Sequence, residues 1–150
     1  MTTLVFERQD VTLPEVIEYV EGLLKTDITQ LDHESLRSNQ IFSCLYKLKH
    51  IQDKKLRALI QVKNECEHER WLRYSGKASA RHYKDDPLPE AILKGDIEKH
   101  MTVDKKMVVA REAVAEQDAI CCFIEASLKQ AGHRGFEIKN ALEWKKMMKS

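Results

Sequence analysis

Apolar residues recur along the chain in steps of three and four, the interval that lines up side chains on one face of a helix. The first such stretch follows Thr12-Leu13-Pro14-Glu15. A hydroxyl near the cap and a proline in the first turn, where its missing N–H costs nothing, predict a helix from about Pro14 to Leu24. Asp32 or Ser35 can cap a second helix. In it Ile41, Leu45, Leu48 and Ile51 are followed by Leu56, Leu59, Val62 and Cys66, with one step of five across Lys54 and Lys55. This long helix, about forty residues, is predicted to stop near Tyr74, because Ser75-Gly76 supplies a glycine that can turn left-handed beyond a helix end. Pro87, Pro89 and Gly95 break residues 77–101 into a loop, a short turn near Glu90–Leu93 and a connector.

Thr102 then stands where an N-cap would, ahead of a regular heptad. Val103, Met107, Ala110, Val114, Gln117, Cys121, Ile124, Leu128 and Ala131 alternate in steps of four and three, the signature of a coiled-coil-like seam. Val108, Val109, Ala113, Ile120 and Phe123 widen the stripe, so this helix must pack on more than one neighbour. Gln117 is the lone polar seam residue. Either it fixes register between chains or it points to the margin and reaches water. Gly132 and Gly135 predict a turn before a last helix from about Phe136 to Met148.

Length and composition narrow the class. A chain of 150 residues with 33% charged residues and five glycines suits an all-α fold of long helices that completes its core by self-association. Its parts read as 1–76, an acidic first helix and a long helix ending in a basic region that binds DNA; 77–101, a linker and short helix; and 102–150, a C-terminal heptad helix and terminal helix for oligomerisation. No signal peptide shows in Met1–Asp10, and the longest apolar run, Ala119–Ile124, is too short to span a bilayer. A soluble, cytoplasmic protein is expected. Cys44, Cys66, Cys121 and Cys122 show no Cys-x-x-Cys spacing, which fits a reduced compartment and buried or half-buried apolar thiols. Cys66 and His68, with His50 nearby, lack the paired ligands of a zinc motif, so no metal or other cofactor is expected. Phosphate loops, His-Glu-x-x-His pairs and nucleophile elbows are missing from the sequence, which argues against an enzyme.

Charge changes the picture. The net charge of +1 conceals a segment, Tyr46–Lys84, with eleven Lys and Arg against four acids. Residues 1–34 carry eight acids against Arg8 and Lys25; this arm is either a docking surface for a basic partner or a solvated acidic face. Within the basic segment Arg70, Arg73, Lys77, Arg81 and Lys84 follow one another with no acid between, and Tyr74 and Tyr83 lie among them. A charge run on a helix is usually a solvated face. Clustered cations beside aromatic rings instead suit an unpaired nucleic-acid strand, the cations tracking phosphates and the rings accepting bases. Lys63, Arg70, Arg73, Tyr74, Lys77, Arg81 and Lys84 are the candidate DNA-binding residues. A helical scaffold or adaptor that contacts only protein partners is the competing reading.

Three blocks carry a family resemblance: Arg73-Tyr74-Ser75-Gly76-Lys77-Ala78-Ser79; Tyr83-Lys84, Pro87, Ile92-Leu93-Lys94 and Asp96; and Arg134-Gly135-Phe136-Glu137-Ile138-Lys139-Asn140-Ala141-Leu142-Glu143-Trp144. In order and spacing they resemble the UvsY family of phage recombination mediators over about the last half of the chain. The resemblance implies a non-enzymatic protein of the infected host's cytoplasm that binds single-stranded DNA and helps a RecA-like recombinase replace the single-strand-binding protein. It also implies a ring-like homo-oligomer, a hexamer or heptamer, closed through the C-terminal helices; the heptad supplies the candidate seam, Met107, Val114, Gln117, Cys121, Ile124 and Leu128. In the family a Lys-Ala-Arg stretch before the Tyr-Ser-Gly block is tied to DNA binding; the matching positions here read His68-Glu69-Arg70. Only Arg70 keeps the family residue, which moves the expected contacts toward Arg73, Lys77 and Arg81, with Lys63 upstream.

Overall fold

The computed structural model describes residues 9–150, and within them every regular element is helical. Helix α1 runs Leu13–Leu24, α2 Leu31–Tyr74, α3 Ala80–Asp85, α4 Ile97–Val103 and α5 Lys105–Lys149, with a 3-10 turn at Lys94–Asp96 before α4. The signal-peptide reading of Met1–Asp10 and the start of the acidic arm fall mostly outside the described residues.

The chain divides into two compact units: residues up to Lys55 together with Gln117–Ser150, and Leu56–Glu116. The first unit is an apolar core under α1, the first half of α2 and most of α5. Thr12 caps α1 by accepting the Glu15 N–H, and α1 points Val16 and Val20 inward. They meet Ile41, Leu45 and Leu48 of α2 and Ile120, Ile124 and Ala131 of α5. From Gln117 onward the heptad stripe is therefore covered by its own chain: Ile124 is wholly buried, Cys121 is buried, and Leu128 packs half-buried against the core, whereas Val103 at the start of the stripe is exposed.

Gln117 neither reaches water nor needs a second chain. Its side-chain nitrogen donates to the Gln52 carbonyl at 3.0 Å and to Gln52 Oε1 at 2.9 Å, and both residues are buried. On α2 the buried face thus passes from Leu48 to Gln52 rather than to Ile51, and one polar position on each helix answers the other.

Four expectations are corrected by the structure. No turn forms at Gly132 or Gly135: α5 is unbroken from Lys105 to Lys149. Glycine costs a helix interior only about 1 kcal/mol, and burial of Ala131, Arg134 and Ile138 on either side outweighs that. Thr102 does not cap the heptad helix, since it lies inside α4; the cap is Asp104, whose Oδ1 accepts the Met107 N–H at 3.1 Å. The short turn falls not at Glu90–Leu93 but at Lys94–Asp96, running directly into α4, and α3 occupies part of the expected loop. Cys122 is exposed, unlike the other three thiols.

Arg134, the first residue of the family-like C-terminal block, is buried. Its Nε donates to the Leu24 carbonyl at 3.2 Å and to Thr26 Oγ1 at 3.0 Å, and its Nη2 pairs with the Glu34 carboxylate. One guanidinium therefore ties α5 to the connection between α1 and α2. Burial pulls the Arg134 pKa below its ordinary value, against the opposing pull of the Glu34 charge. Among the described residues no helix is long and apolar enough to cross a membrane.

Candidate nucleic-acid interface

The second unit is organised by a carboxylate. Asp104 is buried at the start of α5, where a negative charge is favoured by the helix dipole. Its Oδ2 accepts from Arg70 Nε at 2.9 Å and from the Tyr74 hydroxyl at 2.6 Å while Oδ1 caps the helix. Burial raises the Asp104 pKa, but the Tyr74 hydroxyl, the Met107 N–H and the Arg70 charge outweigh it, leaving the carboxyl below its ordinary range. Burial likewise works against the charge on Arg70, and the Tyr74 and Asp104 oxygens more than restore it. The Tyr74 ring stacks on His100, with centroids 5.7 Å apart, and both Arg70 and Arg73 lie over it at just under 6 Å.

Arg73 is occupied in the same way. It is buried, and its Nη1 donates to the Asp86 carbonyl at 2.6 Å and to His82 Nε2 at 3.0 Å, with the Asp86 carboxylate at 3.2 Å. The segment after α2 folds back to make this possible. Gly76 takes φ +78°, and the Lys77 N–H returns to the Leu72 carbonyl at 2.9 Å, closing the helix as a left-handed glycine allows. Ser79 caps α3 through the His82 N–H, and the Tyr83 hydroxyl donates to the Arg73 carbonyl at 2.7 Å.

The seven candidate DNA-binding residues separate into two groups. Arg70, Arg73 and Tyr74 are engaged in ion pairs and hydrogen bonds within the unit. Lys77, Arg81 and Lys84 are exposed, and Lys63 is half-buried. The Arg81 side chain is 91% exposed, with Asp85 at 3.9 Å. Of the oligomerisation set in this unit, Met107 is buried and Val114 half-buried.

Alongside these cations lies an open cleft of about 1150 Å3. Lys63, Lys77, Lys94 and Arg111 line it against two acids, Glu67 and Glu98, and the Trp71 indole is part of its wall. The Lys77 ammonium sits over that indole, 4.7 Å from the ring centroid. Trp71, Lys94 and Arg111 were not singled out from the sequence. Trp71 stands between Arg70 and Arg73 in the basic run, and a tryptophan flanked by cations was the available signal; Lys94 and Arg111 arrive from distant parts of the chain.

Residues 19–150 match the family model described as "Recombination, repair and ssDNA binding protein UvsY". The chain belongs to the UvsY family. No curated protein and no solved structure matches it. Membership in the UvsY family brings recombination, repair and single-stranded DNA binding, and the match reaches well beyond the C-terminal blocks, taking in the second half of α1 and all of α2. The description names binding and repair rather than a reaction. Among the described residues no cluster of His, Cys, Asp or Glu could hold a metal ion.

Proposed function

We propose that this chain is a recombination mediator that binds single-stranded DNA and promotes loading of a RecA-like recombinase onto strands coated by single-strand-binding protein. The family match over residues 19–150 carries this reading. The exposed cations Lys77, Arg81 and Lys84, set on a glycine turn and a short helix, support it, because backbone tracking needs charge that is free to meet phosphate. Mediation also needs one assembly to hold a strand at several points, since linked weak contacts bind far more tightly than single ones. A homo-oligomer supplies them. Phe136, Trp144, Met147 and Met148 of α5 are all more than 60% exposed, and apolar surface of that kind at the end of a helix supports a surface covered by another copy.

The test is fluorescence anisotropy with a labelled single-stranded oligonucleotide across a salt series. Log affinity is expected to fall with log salt at about 0.7 per phosphate neutralised. Replacing Lys77, Arg81 and Lys84 together by alanine is expected to weaken binding equally for all sequences and flatten that slope. Sedimentation of the protein alone reports assembly, and recombinase filament formation on a coated strand reports mediation. Binding that ignores salt, or a coated strand that loads no faster with the protein present, would contradict the reading.

A further inference from the structure

We propose that the Trp71 cleft of the second unit is a base-stacking site, in which one unpaired base lies on the indole in place of the Lys77 ammonium while Lys63, Lys77 and Lys94 take the neighbouring phosphates. The inference rests on the single-stranded DNA reading and assigns that activity a place.

Four observations lead to it. The first is that the family-matched Arg70, together with Arg73 and Tyr74, is committed to Asp104, Asp86 and His82, so the strand's cations and its stacking ring must be found elsewhere. The second is that Trp71 is 39% exposed and faces the cleft, whereas Tyr74, which also borders it, already has its ring stacked on His100 and flanked by the two guanidiniums. An indole with part of its surface open to a cleft is a stacking platform, and every base has a π-face to offer it. The third is charge: the bases lining the cleft outnumber its acids, and among the described residues Lys63 and Lys94 are held by no ion pair. The fourth is Lys77 itself. Its ammonium rests on the ring through a cation–π contact, an exposed interaction worth little, so a base can displace it and leave the flexible side chain to swing toward a phosphate. The cleft's volume, a little above the roughly 300–1,000 Å3 typical of small-ligand sites, has room for a base with its sugar and flanking phosphates.

The experiment titrates full-length protein with oligothymidylate, reading tryptophan emission and the anisotropy of a labelled strand together. Emission is expected to fall in step with anisotropy. In Trp71→Phe, which leaves Trp144 as the only indole, the quench is expected to vanish while the strand still binds. Trp71→Ala is expected to lose roughly five- to 150-fold in affinity, the worth of one stacked base, with its helical circular dichroism unchanged. An abasic strand of equal length is expected to bind more weakly and quench nothing. If the strand binds but emission stays constant and Trp71→Ala binds normally, the strand lies elsewhere on a protein that still binds DNA, and the site assignment falls alone. If no strand binds even at low salt, the DNA reading falls and takes the site with it. Quenching by polyglutamate but not by oligothymidylate would make the cleft a site for acidic protein and would also overturn the proposal.

Discussion

The two compact units are held together by different chemistry. The first buries hydrocarbon: Val16, Val20, Ile41, Leu45, Leu48 and Ile124 are each no more than 1% exposed, and its buried polar groups, Gln52 with Gln117 and Arg134 with Glu34, pair at the edge of that core. The second buries little besides Ile97 and Met107 and instead converges Arg70, Arg73 and Tyr74 on Asp104 and Asp86. A hydrocarbon core tolerates the loss of one member by partial collapse. A charged hub does not, because removing one ion leaves its partner buried and uncompensated.

The largest effect is therefore expected from Asp104→Ala. It strips the partner from a buried guanidinium, a loss of about 3–5 kcal/mol, and removes the α5 cap, about 1 kcal/mol more. Urea unfolding should show the change. The sharper result comes from Arg70→Met combined with Asp104→Ala, which should cost less than Asp104→Ala alone, since neither charge is then left unpaired. If the costs simply add, the pair is not the hub described. In the apolar unit Ile124→Ala is expected to cost about 2–5 kcal/mol by leaving a cavity, with no such rescue available from a neighbouring substitution.

The same contrast decides what could be read from the sequence. The apolar unit was legible in its buried faces: the spacing of Ile41, Leu45, Leu48, Ile120 and Ile124 points to them, and α2 was anticipated at close to its length, whereas α5 was expected to break at Gly132 and Gly135. What spacing could not say is whose surface covers the seam. A stripe that packs on α1 and α2 of its own chain has the same period as one that packs on another copy. The charged unit was less legible, because a count of bases does not separate a buried cation from an exposed one. Chemistry offered a partial clue. Among the described residues the buried bases, Arg70, Arg73 and Arg134, are all arginine, the residue whose planar, weakly hydrated fork suits buried pairs with carboxylates. The exposed candidates include Lys77 and Lys84, though Arg81 shows that the rule is not strict. Asp104 was hidden inside what reads as the lead-in to a heptad, and only the fold brings it to Arg70.

Acid should separate the units more gently than mutation. Because the folded Asp104 carboxyl lies below its ordinary value, the unfolded chain binds its proton first as pH falls. The stabilisation is whole above the ordinary aspartate value of about 3.9 and drains away as pH drops through the lower folded value. Tryptophan emission follows this, since Trp71 lies in the charged unit, and Asp104→Asn should remove the acid dependence while keeping much of the cap. A transition in that window that persists in Asp104→Asn would assign it to other carboxylates.

Glycine gives the smallest and most diagnostic comparison. Gly76, in the charged unit, holds φ +78°, where a side chain's Cβ meets the following carbonyl, so Gly76→Ala is expected to cost about 1–2 kcal/mol. Gly132, in the apolar unit, is helical, and an added Cβ there meets nothing within 4 Å. Gly132→Ala is expected to stabilise by about 0.8–1.0 kcal/mol, the difference in helix propensity. The two substitutions are chemically identical and should differ in sign, which thermal unfolding can read directly. The second also probes assembly: should Gly132→Ala destabilise, and do so more at high protein concentration than at low, another copy's backbone approaches α5 at that point, because the described residues leave a methyl group there in open space and a clash that grows with concentration comes from a neighbour.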